Sequence, residues 1–227
     1  MNNTRAALAL LAALAALASL AALAALALAG CATSPPGGGA GPTAFSGKAI
    51  PTASRATLLA VDRSKSTEEI RSQLLTTTFD IGTNFDSTHD TMRLYRFGRN
   101  IEEVYAGLPE DDDAFASLLA KYMKDSDPAL GTDYPRVFET LAAAAANAPQ
   151  SEIRIVVVGD GLNDFANDPE SEKCYREAVK RLAHNPHVKW VRFWGVGVGP
   201  REEIRSVFKS LGSRLQILSL DQNPLAP

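Results

Sequence analysis

Cysteine, histidine and tryptophan are scarce here: two, three and two residues in a chain of 227. Two cysteines cannot make a disulfide framework of the kind that holds small secreted domains together. His184 and His187, close together in "HNPH", have no evident third ligand for zinc. An excess of positive charge is also missing. The formal net charge is −3, and no basic stripe of the kind that binds nucleic acid is present. No internal repeat is visible. The glycines of "GVGVG", residues 195–199, lack the G-x-G-x-x-G spacing of a dinucleotide loop, and the helix that follows opens with Pro200 and Glu202, which suit a phosphate poorly.

What is present begins at the N-terminus. "MNNTR" supplies one positive charge, Arg5, and residues 6–29 are almost pure Ala and Leu. A charged start, an apolar stretch and small residues before a cut site describe a secretory signal peptide. The ending "LAGC", Leu28 to Cys31, resembles the lipobox of bacterial lipoproteins, in which the cysteine is lipidated and becomes the first mature residue. Residues 1–30 are therefore expected to be removed and Cys31 to carry lipid. Cleavage takes away Arg5 alone, leaving 22 basic and 26 acidic residues and a net charge of −4. With Cys31 assigned to lipid, no intramolecular disulfide to Cys174 is expected, and Cys174 reads as a small half-buried residue of a helix. Residues 31–54, rich in Pro, Gly, Ser and Thr, cannot build a core and read as a tether. About 20 such residues reach roughly 25 Å, enough to lift a domain clear of a membrane surface.

The folded part is expected over residues 55–221, with a short tail at 222–227. "ATLLAVD", "EIRIVVVGDG", "KWVRFWGVGVG" and "RLQILSL" are short apolar runs that read as strands. "TMRLYRFG" and "IEEVYAG" form a hairpin. Helical patterns fill the intervals: "STEEIRSQLLTTTF", "DDDAFASLLAKYMK", "YPRVFETLAAAAANA", "ESEKCYREAVKRLAHN" and "PREEIRSVFKSLG". Trp190 and Trp194, four apart on a strand, share one face and belong to the core. Alternating strands and helices with continuous apolar strands predict a doubly wound, mostly parallel six-stranded sheet with one antiparallel edge strand.

Sites on such sheets lie beyond the carboxyl ends of the strands, where strand order reverses. The first strand delivers Asp62, followed by Ser64 and Ser66. "EIRIVVVGD" delivers Asp160, and "DPALGTDYP" places Thr132 and Asp133 before a helix. Carboxylate and hydroxyl oxygens suit Mg²⁺, Mn²⁺ or Ca²⁺, and suit zinc or copper poorly. A plainer reading stands beside this one. Ser66 and Glu69 have the S-x-x-E spacing of a capping box, which only starts a helix.

"DRSKS" matches the D-x-S-x-S signature of von Willebrand factor A domains, "GTDY" resembles that family's threonine loop, and "VVVGDG" its last acidic element. The resemblance runs from about residue 55 to 220. It implies a metal-ion-dependent adhesion site that holds one divalent ion through Asp62, Ser64, Ser66, Thr132 and Asp160. In the family the hydroxyls bind the metal directly and the acids act largely through water. Neutral hydroxyls leave most of the ion's charge unspent, so the water at an open position can be replaced by a carboxylate from a protein partner. Lys65 departs from the pattern, standing where many members have Gly. The expectation is a non-enzymatic protein-binding domain, tethered to the membrane by Cys31 and facing the periplasm at an outer membrane or the cell surface. Two alternatives stand. "GDGLND" resembles the acidic motif of haloacid-dehalogenase-type phosphatases, with Asp62 as nucleophile and Asp160 and Asp164 on Mg²⁺, although Ser64 stands where that family wants its second acid. The other is a metal-free scaffold of the same fold. In the adhesion-site reading, Asn163 and Asp164 are ordinary residues of the rim.

Overall fold

A computed structural model describes residues 45–46, 54–83, 90–107, 112–122, 131–164 and 168–224. The expected signal segment, Cys31, most of the tether and Asp111 lie outside the described residues. Seven strands form one sheet: β1 (Phe45–Ser46), β2 (Arg55–Asp62), β3 (Asp90–Phe97), β4 (Ile101–Gly107), β5 (Glu152–Val158), β6 (Val188–Trp194) and β7 (Leu215–Leu218). Their order is β1-β4-β3-β2-β5-β6-β7, and every pairing is parallel except β3 with β4. The six expected strands are all present. The seventh, β1, comes from the tether: two residues that pair alongside β4 at what is otherwise the sheet edge. Backbone pairing needs no particular side chain, so composition did not announce it.

The helices are α1 (Arg71–Thr83), α2 (Asp112–Tyr122), α3 (Tyr134–Asn147), α4 (Pro169–His184) and α5 (Pro200–Val207). The local causes are legible. Asp133 caps α3 by accepting the Arg136 amide at 3.0 Å, and Asp168 caps α4 by accepting that of Glu170. Each is followed by Pro in the first turn, where a missing N–H costs nothing. The segment before α1 is a 3-10 turn, Lys65–Ile70, whose N-cap is Ser64 with no side-chain capping bond. The capping-box reading therefore fails: Ser66 lies inside the turn, two residues past the cap position.

The sheet carries a core on each face. Leu58, Tyr95, Phe97, Ile155, Phe193 and their neighbours face α3, α4 and α5, while Leu59, Val61, Leu94, Val156, Trp190 and Trp194 face α1 and α2. The central strands are buried on both faces, which is why β2 and β5 read as unbroken apolar runs. Phe138 of α3 is the hub of the first core. It is fully buried and meets Phe208 edge-on at 4.6 Å, with Tyr175 and Phe193 at 5.5 and 5.6 Å. Cys174 lies on α4 and is half-buried, as its helical pattern predicts.

Candidate metal centre

The chain leaves β2 toward β3 and β4 on one side and resumes with β5, β6 and β7 on the other, so strand order reverses between β2 and β5. Val61 pairs with Val158, which sets Asp62 beside Gly159 and Asp160 at that reversal. The closeness is built into Gly159. A Cβ there would lie 2.7 Å from the Asp62 Cβ and 3.0 Å from its Oδ2, so only a residue without a side chain lets this carboxylate stand where it does.

Asp62 is fully buried. Its Oδ1 accepts the amide of Ser64 at 2.7 Å, closing a tight turn at the strand end. Burial pushes its carboxyl up to about 7. The Ser64 hydrogen bonds and Arg71 pull it down, and Asp160 raises it further. Ser64 is buried too, and its hydroxyl lies 2.9 Å from that of Ser66. Beneath the turn, the Ser64 carbonyl is held twice, by Arg71 Nη2 at 2.8 Å and by Thr67 Oγ1 at 2.9 Å. A buried guanidinium and a hydroxyl thus hold the backbone that presents both serines.

Thr132 arrives from the other side. It is fully buried, and its loop is locked to the Asp160 loop by a reciprocal pair: Thr132 N–H donates to Asp164 Oδ2 at 2.6 Å, and Asp164 N–H to the Thr132 carbonyl at 3.1 Å. Gly131 turns the chain at φ +94°, and a Cβ there would press on the Asp164 carboxylate at 3.1 Å. Asp164, expected as an ordinary rim residue, is the brace between the two loops. Tyr134 was also missed. Its hydroxyl would stand 3.2 Å from a Cβ on Gly159, beside Asp62. Burial and the charges of Asp62 and Asp160 hold its phenol protonated. The "GTDY" stretch carried the tyrosine in plain view, but only the strand order says which loop it faces.

Four buried oxygens in this cluster have no hydrogen-bond partner: Asp62 Oδ2, Thr132 Oγ1, Asp160 Oδ2 and the Tyr134 hydroxyl. The first three belong to the five residues expected to hold metal. Buried polar atoms are nearly always satisfied, and an unpaired one costs about 1–3 kcal/mol. Two carboxylates and three hydroxyls with spare acceptor capacity fit a hard divalent cation that takes oxygen ligands. Among the described residues no three His, Cys, Asp or Glu side chains gather as a metal cluster. The fit therefore rests on the hydroxyls as much as on the acids. The two histidines play other parts: His184 Nδ1 lies 2.8 Å from the Lys180 carbonyl and His187 Nδ1 3.1 Å from that of Ser151.

The architecture is that of a von Willebrand factor A-like domain, and solved structures bear this out. The SpRpn10 VWA domain superimposes with a TM-score of 0.51 at 15% identity, over 73% of this chain and 87% of that one. A von Willebrand factor type A structure from Catenulispora acidiphila gives 0.53 at 14% identity, over 73% and 38%. An aerotolerance-related membrane protein from Bacteroides fragilis gives 0.50 at 14%, over 74% and 92%. No protein-family model matches the sequence, and no curated protein does. The likeness is one of fold.

Proposed function

We propose that this chain is a lipid-anchored cell-envelope domain that binds a protein partner through one divalent cation, Mg²⁺ first and Mn²⁺ or Ca²⁺ as substitutes. Asp62, Ser64, Ser66, Thr132 and Asp160 hold the ion. The observation that carries the reading is the set of three partnerless buried oxygens on Asp62, Thr132 and Asp160 at the sheet reversal. The ion supplies a Lewis-acidic position for a carboxylate of the partner. The chain's own residues do the rest. Asp62 and Asp160 balance charge, and the hydroxyls of Ser64, Ser66 and Thr132 offer neutral oxygens. Arg71 and Asp164 keep the two loops in place.

Turnover is not expected. Ser64 occupies the position where a haloacid-dehalogenase-type phosphatase needs its acid, and the Asp164 carboxylate is engaged by the Thr132 amide. Pure protein should leave phosphomonoesters intact in Mg²⁺; hydrolysis abolished by Asp62→Asn would restore the phosphatase reading. The anchor belongs to Cys31, with the domain facing the periplasm at the outer membrane or the cell surface.

The deciding experiment is thermal melting of the purified protein with and without Mg²⁺. An ion at about 100 times its dissociation constant stabilises the native state by roughly 2.7 kcal/mol. The wild type should show the rise in Tm, Asp62→Ala and EDTA should abolish it, and Lys65→Gly should keep it. If Mg²⁺, Mn²⁺ and Ca²⁺ all leave the wild-type Tm unchanged at millimolar levels, the reading is wrong.

A further inference from the structure

The large apolar side chains left exposed among the described residues are Leu162, Val198 and Leu220, at 48, 86 and 42% exposure. Scattered apolar residues on a surface need no explanation. These three are not scattered. Each lies in the loop that leaves the carboxyl end of a strand: Leu162 after β5, Val198 after β6 and Leu220 after β7. Those strands are neighbours, so the three loops stand side by side. The end of the sheet they crown is the one that carries Asp62 and Asp160.

The loops are tied to the site and to one another. Leu162 N–H donates to Asp160 Oδ1 at 3.0 Å, and Gly197 N–H to the Asp160 carbonyl at 3.1 Å. A Cβ on Gly195 would lie 3.5 Å from Leu220 Cδ2. The loop that carries Val198 is fastened twice just before it, by Gly159 N–H on the Trp194 carbonyl at 3.0 Å and by Arg201 Nη2 on the Val196 carbonyl at 3.3 Å. A loop so fastened still holds its valine out in water. Across the site, the segments after β2 and β3 expose charged side chains instead, Lys65 and Arg99 together with Glu68 and Glu69. Lys65 stands between the two site serines in the chain.

We infer that the Leu162–Val198–Leu220 ridge and the carboxylate–hydroxyl site form one docking surface, and that its occupant is a protein loop presenting a carboxylate with aliphatic side chains beside it. The inference rests on the cation-binding reading above and adds the identity of the partner's neighbouring residues. The carboxylate answers the ion and Lys65 between the site serines, and the aliphatic side chains cover the ridge. Moving one aliphatic side chain out of water is worth about tenfold in affinity.

The test uses the full chain in detergent and two immobilised peptides, one with Leu-Asp-Leu and one with Ser-Asp-Ser between glycines. Surface plasmon resonance is read in Mg²⁺ and in EDTA, beside the Mg²⁺ melting shift of each protein. The Leu-Asp-Leu peptide should bind about tenfold more tightly in Mg²⁺. Val198→Asp and Leu162→Ser should each remove that preference while leaving the Mg²⁺ melting shift intact. Equal affinity for the two peptides, no effect of either substitution, or no peptide binding beside an intact melting shift would overturn the ridge. So would self-association of the wild type that Val198→Asp abolishes, because the occupant would then be a second copy. A missing melting shift in the wild type instead sinks the cation reading, and the docking surface with it.

Discussion

Replacing Asp62 by Asn removes a charge and almost no volume, and the two proteins should respond to pH in different ways. Asp62 is fully buried, and burial is the main reason its carboxyl is pushed up to about 7 from an ordinary 3.8. Between those values the native state keeps a proton that the unfolded chain has released. Stability therefore falls as pH rises from about 4 to about 7 and stays low above that. At about 1.4 kcal/mol per pH unit, the ionised, cation-free site costs on the order of 4 kcal/mol at pH 8. Asp62→Asn abolishes this cost. In EDTA, urea midpoints of the wild type should decline from pH 5 to pH 8 relative to the variant, and the variant should be the more stable at pH 8. Mg²⁺ reverses the advantage in part: it raises the wild type by roughly 2.7 kcal/mol at 100 times the dissociation constant and leaves the variant unmoved. The ion must also displace the proton, so its apparent affinity for the wild type should weaken as pH drops below 7. Parallel pH profiles in EDTA, or a variant less stable than the wild type at pH 8, would refute the argument that this carboxylate is held against its preference for water.

Other outcomes follow from the same contacts. Asp164→Ala strands the Thr132 amide and should cost about 1–3 kcal/mol in urea denaturation, with a weaker Mg²⁺ melting shift because the threonine loop loses its brace. Gly159→Ala places a methyl 2.7 Å from the Asp62 Cβ; calorimetry should show Mg²⁺ binding lost or much reduced, and unchanged binding would remove Gly159 from the site. Phe138→Ala empties the aromatic hub and should destabilise by about 3–5 kcal/mol while the fold's Mg²⁺ response persists in the remaining native protein. Mass spectrometry of the mature wild type should find acyl mass on Cys31, and Cys31→Ala should lack it; a mature wild type without acyl mass ends the anchor proposal.

Much of the molecule was decided by the sequence alone. Unbroken apolar runs such as "IRIVVV" can be buried on both faces only inside a parallel sheet, and helical patterns between them impose the winding. "DRSKS", "GTDY" and "GDG" fall at the ends of elements, and their resemblance to the motifs of von Willebrand factor A domains named the five candidate ligands. Only the tertiary structure decided how they meet. The bond from Thr132 to Asp164 spans 32 residues, and it exists because strand order reverses between β2 and β5, which no local pattern states. The same folding distinguished Ser66 as a neighbour of Ser64 from Ser66 as a helix cap, and recruited Phe45–Ser46 to the sheet by backbone bonds that leave no trace in composition. It also gathered Leu162, Val198 and Leu220 at one end of three adjacent strands. Along the chain those three are isolated apolar residues in polar loops, and they become a surface only when β5, β6 and β7 lie in register.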